Sequence, residues 1–228
     1  MEFAVTAEST HSPAAPGLAG VCGVCNTTVI QRCGEIIARH WAHHDPNRDG
    51  CDAFSEGETL WHRGMKLPFP ESCREVVIDE NGVRHRADVR LPGGLVVEFQ
   101  HSAISVNDLR EREAFYRRMV WVFDASGPFA EGRIVIKKDH GHLSQMTWSR
   151  PRSSAAFCLC PVAFDLGERG VFLANTFTAD GVGVGAILPA HEFVATLIAA
   201  DASPRGRLKE KTMSRGTTVF GPWGWVTA

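Results

Sequence analysis

The chain has 228 residues, of which 44% are hydrophobic and 22% are charged, and its formal net charge at pH 7 is −2. These values are typical of a globular protein with one main domain, and they exclude a globally basic nucleic-acid-binding protein. Any positive surface for a nucleic acid must therefore be local. Arginines that could form one are Arg84, Arg86, Arg90, Arg110, Arg112, Arg117 and Arg118.

The first residues contain no basic region followed by an apolar stretch of signal-peptide length, and no segment is apolar enough to predict a membrane span. We therefore expect a cytoplasmic protein without membrane contact. Seven cysteines, an odd number, favour a reducing compartment and metal binding over a disulfide framework.

In chain order, residues 1–19 are rich in Ala, Ser, Pro and Gly and are predicted to be a flexible tail. Residues 20–52 are dense in metal-ligating side chains. A Cys-x-x-Cys pair at Cys22 and Cys25, together with a later histidine pair, could close a tetrahedral zinc site. Such a closed site would be structural, since it keeps no open position for catalysis. The other residues of this segment that could compete as ligands are Cys33, His44 and Cys51.

Residues 53–138 are predicted to form an α/β core. Ser55 and Glu58 make a capping box for a helix that ends at Pro68, and Ser105 and Asp108 make another for a second helix. Strands are predicted at 75–79, 84–91, 95–100, 121–123 and 133–136, with hairpin turns at 81–82 and 92–94.

Residues 139–228 are predicted to be an α+β extension, with strands near 156–164, 171–177 and 183–188 and a helix over 191–200. Cys158 and Cys160 are a weaker signal for a metal site and are expected to be core residues. The role of this extension is open. It could form a homodimer, recognise DNA or cover a face of the sheet.

The main catalytic candidates lie on the predicted hairpin strands. Asp88 is on the first strand, and Glu98 and Gln100 project from the same side of the second. Two buried carboxylates need a compensating cation, and Mg²⁺ or Mn²⁺ with oxygen ligands fits best. In the alternative interpretation, Asp88 forms a salt bridge with Arg86 or Arg90.

The first predicted helix carries supporting candidates. Glu58 and His62 are four residues apart and share one helix face, so both could lie over the strand that carries Asp88. Alternatively Glu58 only completes the cap and His62 is a surface residue. Glu56 is the reserve for Glu58. The remaining ionisable residues near the site are Glu75, which has a similar ambiguity, and His85 and His101, which are expected to be hydrogen-bonded structural groups.

Several spaced blocks within residues 20–137 resemble the CoiA-like competence protein family, which belongs with the PD-(D/E)xK nucleases. The blocks are Glu58–His62 with Lys66, His85–Val89, Val97–Ser102, Arg112–Tyr116, Val120–Val122 and the His-Trp-Ala-His sequence of residues 40–43. The resemblance implies a restriction-endonuclease-like core, a mixed β-sheet flanked by helices, with an N-terminal zinc-binding module. It further implies that Asp88 and Glu98 bind Mg²⁺ or Mn²⁺ and that Cys22, Cys25, His40 and His43 bind a structural zinc ion.

The chain departs from the nuclease signature at Gln100, which stands where a lysine is usual. An amide offers hydrogen bonds but no positive charge, so Lys66, His62 or a nearby arginine would have to supply it. The leading hypothesis is a metal-dependent nuclease acting on DNA, in which Gln100 orients water. The alternatives are a catalytically degenerate DNA-binding or processing accessory protein and an enzyme with a catalytic zinc at His40 and His43.

Overall fold

The computed structural model describes residues 1–34, 39–44, 51–52, 59–138, 143–202 and 217–219. Its helices are α1 Leu60–Lys66, α2 Val106–Tyr116, α3 Ser126–Ala130 and α4 Ala190–Asp201. The short N-terminal strands are β1 Phe3–Ala4, β2 Ser12–Pro13, β3 Gly20–Val21, β4 Thr28–Arg32 and β5 His40–His43. The strands of the main sheet are β6 Arg74–Glu80, β7 Val83–Arg90, β8 Val96–Gln100, β9 Met119–Asp124, β10 Ile134–Lys138, β11 Ser144–Trp148, β12 Val162–Asp165, β13 Val171–Thr178, β14 Val182–Leu188 and β15 Thr217–Val219.

The N-terminal module is built on a small antiparallel sheet in the order β3-β4-β5, beside the β1–β2 pair. Residues 1–19, expected to be a flexible tail, are instead part of this module. Phe3 and Ala4 are buried, and the Trp41 indole Nε1 donates a hydrogen bond of 2.9 Å to the Ser12 carbonyl. The composition of residues 1–19 did not indicate this ordered structure, because only a few apolar side chains of the segment are buried in the module.

The main sheet is mixed, with the order β10-β11-β14-β13-β12-β9-β8-β7-β6 and β15 paired to β13. β8, β9 and β12 run parallel to one another, whereas the other pairs are antiparallel. The strands predicted in residues 139–228 therefore belong to the same sheet as those of 53–138. The predicted boundary between a core and an extension thus falls within one continuous sheet.

Both faces of the central strands are covered. All six residues of β9 are buried, which explains why this strand is an almost unbroken apolar run. One face packs against α2 through Trp121, Phe123 and Leu109. The opposite face packs against α1 and α4 through residues that include Val97, Phe99, Val122, Phe193 and Leu197.

Local sequence signals for the hairpin and for α2 are confirmed. Asn81 and Gly82 have φ values of 56° and 85°, as a two-residue hairpin turn between β6 and β7 requires. The Ser105 hydroxyl caps α2 by accepting a hydrogen bond from the Asp108 backbone N–H. For α1 the cap is Thr59, one residue before the helix begins, while the predicted cap Ser55 lies outside the described residues.

We predict that Gly93→Ala destabilises the fold, because the Asp201 carboxylate binds the backbone N–H groups of Gly93 and Leu95 and fixes α4 to the β7–β8 turn. A Cβ on Gly93 would lie 2.4 Å from the Asp201 carbonyl oxygen. We expect a loss of about 1–3 kcal/mol in the free energy of unfolding, measured with urea. The control is Gly64→Ala within α1, where a Cβ meets no described atom within 4 Å. Because alanine favours a helix more than glycine does, this change should raise the free energy of unfolding by about 0.5–1 kcal/mol. Equal effects of both changes would contradict this account.

Candidate functional site

The N-terminal module contains a Cys₃His cluster. Cys22 and Cys25 follow β3, His43 ends β5, and Cys51 completes the group, with all ligand atoms within 4.8 Å of one another. The Cys22 and Cys51 sulfurs are 3.8 Å apart, and His43 Nε2 lies 3.2 Å and 3.6 Å from the sulfurs of Cys25 and Cys51. Tetrahedral zinc with Zn–S of about 2.3 Å and Zn–N of about 2.0 Å spaces its ligands by about 3.5–3.8 Å. The cluster could therefore hold a metal such as zinc.

The ligand set differs from the expected one at a single position, where Cys51 stands instead of His40. His43 is two residues from the buried Trp41 and shares its face of β5, whereas His40 belongs to the opposite face. Two histidines three residues apart on a strand cannot both reach one ion. Cys33 and His44 also lie outside the group that the described residues form. A strand prediction for residues 40–43 would have separated the two histidines.

Hydrogen bonds join the cysteine cluster to the main sheet. Asp52 follows the ligand Cys51, and its carboxylate accepts hydrogen bonds of 2.8 Å from His85 Nδ1 and 2.7 Å from the Arg86 backbone N–H. The Arg86 side chain donates to the Cys22 sulfur at 3.3 Å. The cluster is therefore attached to β7 only two residues before Asp88.

Asp88 and Glu98 lie at the point where β7 and β8 separate. The β7–β8 ladder pairs Arg90 with Val96 and Val89 with Val97, and the next position along it would pair Asp88 with Glu98. There, backbone N–H groups donate to carboxylate side chains instead of to the opposite backbone. Glu98 Oε1 accepts from the Asp88 backbone N–H at 3.1 Å, and Asp88 Oδ2 accepts from the Phe99 backbone N–H at 2.9 Å. Each carboxylate thus bonds to the other strand.

Burial makes this pair of acids unfavourable when both are ionised. Desolvation, followed by the negative charge of Asp88, raises the pKa of Glu98 well above its ordinary value. Desolvation also raises the pKa of Asp88, against the opposing charges of Lys66 and His62. A bound cation would relieve this cost, which is the electrostatic property expected of a divalent-metal site.

A third acid, Glu75, stands on β6 at the position opposite Asp88 in the register that pairs Arg74 with Val89 and Val76 with Ala87. Lys66 Nζ donates to its carboxylate at 2.8 Å, and both side chains are buried. Burial alone would raise the pKa of Glu75, but the charge of Lys66 and others lower it to about 2. Glu75 is therefore an ionised partner of Lys66 at neutral pH.

The other predicted residues surround the acids in different ways. His62 is buried and connects α1 to β8, with Nε2 2.6 Å from the Phe99 carbonyl and Nδ1 3.1 Å from the Thr59 hydroxyl. Gln100 is fully buried, and its amide donates to the Ser102 carbonyl. Glu58 and its reserve Glu56 lie outside the described residues.

The contact of Arg112 with Glu98 was not predicted from the sequence. Arg112 Nη1 lies 3.4 Å from Glu98 Oε2, and its guanidinium also stacks 5.8 Å from the centre of the Trp121 ring. The available signal was its position on α2, but Arg112 is one of several arginines that the sequence indicates only as a possible positive surface. The salt bridge of Asp88 with Arg86 or Arg90, the alternative interpretation of this acid, is not among the ion pairs of the described residues.

Comparisons of the chain with protein-family models, with curated proteins and with solved structures find no match. Among the described residues, no helix is both long enough and apolar enough to span a bilayer. The proposed function therefore rests on the geometry of the Cys₃His cluster, on the pair of Asp88 and Glu98, and on the sequence blocks that resemble CoiA-like proteins.

We predict that Cys51→Ser and His40→Ala have different effects on metal content. Cys51→Ser removes a ligand and should lower the zinc content of the purified protein well below about one ion per chain, together with its melting temperature. His40→Ala should retain the zinc. Elemental analysis and thermal unfolding measure both. Loss of zinc in His40→Ala with retention in Cys51→Ser would restore the originally expected ligand set.

We predict that Glu98→Gln makes the metal-free protein more stable at pH 7, because it removes a buried charge. The folded protein keeps the Glu98 proton to a higher pH than the unfolded chain does, so stability falls as pH rises above about 4.3, the ordinary glutamate pKa. The advantage of Glu98→Gln should therefore disappear in acid. Urea unfolding at pH 4 and pH 7 measures this.

Divalent cation should reverse the order of stability at pH 7. Mg²⁺ at 100 times its Kd should stabilise the wild type by about 2.7 kcal/mol and the Glu98→Gln variant by much less. An equal effect of Mg²⁺ on both proteins would contradict metal binding at Glu98.

Proposed function

We propose that this protein is a divalent-metal-dependent nuclease that hydrolyses phosphodiester bonds in DNA. The observation that carries the proposal is the pair Asp88 and Glu98, a half-buried and a buried carboxylate that meet between separating strands and whose pKa values are both raised. The resemblance to CoiA-like proteins assigns the same two residues to metal binding in a PD-(D/E)xK core. The electrostatics of the two acids and the sequence resemblance therefore both favour a bound cation at the same two residues.

Asp88 and Glu98 would hold Mg²⁺ or Mn²⁺, with water filling the remaining positions. Such an ion polarises the phosphate and lowers the pKa of bound water. The protein's own contribution is positional and electrostatic. Arg112 fixes one oxygen of Glu98, and the Phe99 backbone N–H fixes one oxygen of Asp88.

Lys66 is our candidate for the positive charge that Gln100 does not provide. It is the cation with the largest effect on the pKa of Asp88, and it approaches from α1 rather than from β8. Gln100, one strand period beyond Glu98, would orient water through its amide. DNA is the proposed substrate because the chain offers local arginine clusters, including the exposed Arg84 and Arg90.

We further propose that the Cys22, Cys25, His43 and Cys51 cluster binds structural zinc. Four protein ligands leave no open position, which argues against a catalytic zinc. A structural role also fits the size of the module, whose few buried apolar residues are too small a core for independent stability. A bound metal would fix the cluster, and the hydrogen bonds of Asp52 and Arg86 would in turn fix β7.

A DNA-binding accessory protein is the second candidate, and the burial of the acidic site favours it. Glu98 and Gln100 are 4% and 0% exposed, and Arg112 already contacts Glu98. In an accessory protein, Arg112 would take the place of a metal ion at Glu98, and the protein would bind DNA without cutting it. The two candidates differ in whether cleavage depends on a divalent cation.

We predict that Asp88→Asn abolishes Mg²⁺-dependent DNA cleavage, lowering the rate by at least about 10²–10³-fold, because it removes a charged metal ligand. DNA affinity should remain within a few-fold of the wild type. The control is Glu168→Gln, an exposed acid on the loop before β13. Cleavage of labelled single-stranded and plasmid DNA, with and without Mg²⁺, measures the effect. Unchanged cleavage by Asp88→Asn, or wild-type protein that binds but never cuts, would favour the accessory protein.

A further inference from the structure

Three polar side chains form a second row, at the carboxyl ends of the three parallel strands. Gln100 of β8 pairs with Phe123 of β9, so His101 comes next to Asp124, and Asp124 in turn pairs with Asp165 of β12. The space beyond the carboxyl ends of parallel strands is where α/β sheets bind their ligands. This row is separate from Asp88 and Glu98, and neither Asp124 nor Asp165 was a candidate from the sequence.

Within this row, His101 and Asp124 form a hydrogen-bonded pair. His101 Nδ1 lies 2.7 Å from Asp124 Oδ2, and the other carboxylate oxygen accepts hydrogen bonds from the Ser126 backbone N–H and hydroxyl. Because a carboxylate accepts, the proton of the neutral ring belongs on Nδ1, and Nε2 keeps its lone pair. No other described residue hydrogen-bonds to Nε2, and 42% of the side chain is exposed. The similar pair of His85 and Asp52 is only 12% and 1% exposed.

The surroundings of His101 hold the ring in place. Arg152 donates to the backbone carbonyls of Gln100, His101 and Ser102, which fixes the chain as it leaves β8. The Trp61 ring lies 5.9 Å from the His101 ring, and its indole N–H donates to Asp165 at 2.7 Å. An exposed imidazole that is oriented by a carboxylate and supported on several sides is the arrangement of a general base.

The nuclease site needs such a base. Gln100 has an amide, which cannot take up a proton at neutral pH, and Lys66 is a protonated partner of Glu75. Both ring nitrogens of His62 are engaged, by Thr59 and by the Phe99 carbonyl. His101 lies 6.3 Å from the His62 ring, and three residues, about 10 Å of strand, separate it from Glu98.

We propose that His101, oriented by Asp124, is the general base of the phosphodiester hydrolysis, an inference that rests on the proposed function. His101 Nε2 takes a proton from a water molecule as the water oxygen forms a bond to phosphorus. The bond between phosphorus and the leaving nucleotide oxygen breaks, and that oxygen takes up a proton from solvent. The imidazolium then releases its proton to bulk water through its exposed edge. Asp124 is a positioning residue, since it acts through the ring.

The test compares His101→Ala, His101→Gln and Asp124→Asn with His191→Ala, which removes an imidazole that is 82% exposed on α4. Single-turnover cleavage of labelled single-stranded and plasmid DNA is measured with Mg²⁺, together with DNA affinity and Mg²⁺ affinity. His101→Ala should cut at least about 10²-fold more slowly, with both affinities within about twofold of the wild type, and free imidazole should restore part of the rate. His191→Ala should cut normally. His101→Gln, which can still donate to Asp124, supplies the rate comparison if His101→Ala fails to fold.

A second measurement separates orientation from stability. Nitrogen NMR of the wild type should show the His101 proton on Nδ1, and Asp124→Asn should move it to Nε2 while slowing cleavage. Wild-type rates in both His101 variants, with Asp88→Asn inactive, would overturn this inference and leave the nuclease proposal intact. A slow His101→Ala that imidazole does not rescue would also overturn it. A wild-type protein that cuts neither substrate would overturn the proposed function and this inference with it.

Discussion

The burial of acidic side chains between β7 and β8 is the constraint on which the rest of the structure depends. An ionised carboxylate is costly in an apolar core, and a second one nearby raises that cost. The fold reduces it by letting the two strands separate, so that the Phe99 and Asp88 backbone N–H groups donate to side chains rather than to the opposite strand. Arg112 and Lys66 then approach from helices on either side of the sheet.

The same region depends on the N-terminal module from the other direction. The Asp52 carboxylate holds His85 and Arg86 of β7, while the Glu2 backbone N–H donates to Glu75 and the Glu2 carboxylate pairs with Arg74 of β6. These contacts are made to β7, the strand that carries Asp88, and to its neighbour β6. A few hydrogen bonds therefore connect the N-terminal module to the strand that carries Asp88. The packing of the module, or a metal bound in it, helps to position this acid.

Local signals in the sequence predicted local structure, and the failures came from long-range pairing. Asn81-Gly82 and Ser105 define a turn and a cap that need no other part of the chain, so both were predictable. Asp88 and Glu98 were brought together by a short hairpin, which is also a local event. The choice of Cys51 over His40 depends on β5 being a strand, and the joining of β11, β12, β13 and β14 to the main sheet depends on β12 pairing with β9 across a long stretch of chain. Sequence spacing carries little information about either.

The parallel pairing of β9 with β12 also changes which residues belong to the candidate site. An α/β core that ended near residue 138 would leave β9 as an edge strand with Asp124 beside solvent. In the observed sheet, β12 covers that edge and adds Asp165, whose carboxylate binds the Trp61 indole of α1. Trp61 in turn lies against Phe99 and His101, the residues on either side of Gln100. The C-terminal part of the sheet thus fixes the orientation of α1, and with it the placement of Lys66 and His62 beside Asp88. The acidic site therefore depends on strands that carry none of its acids.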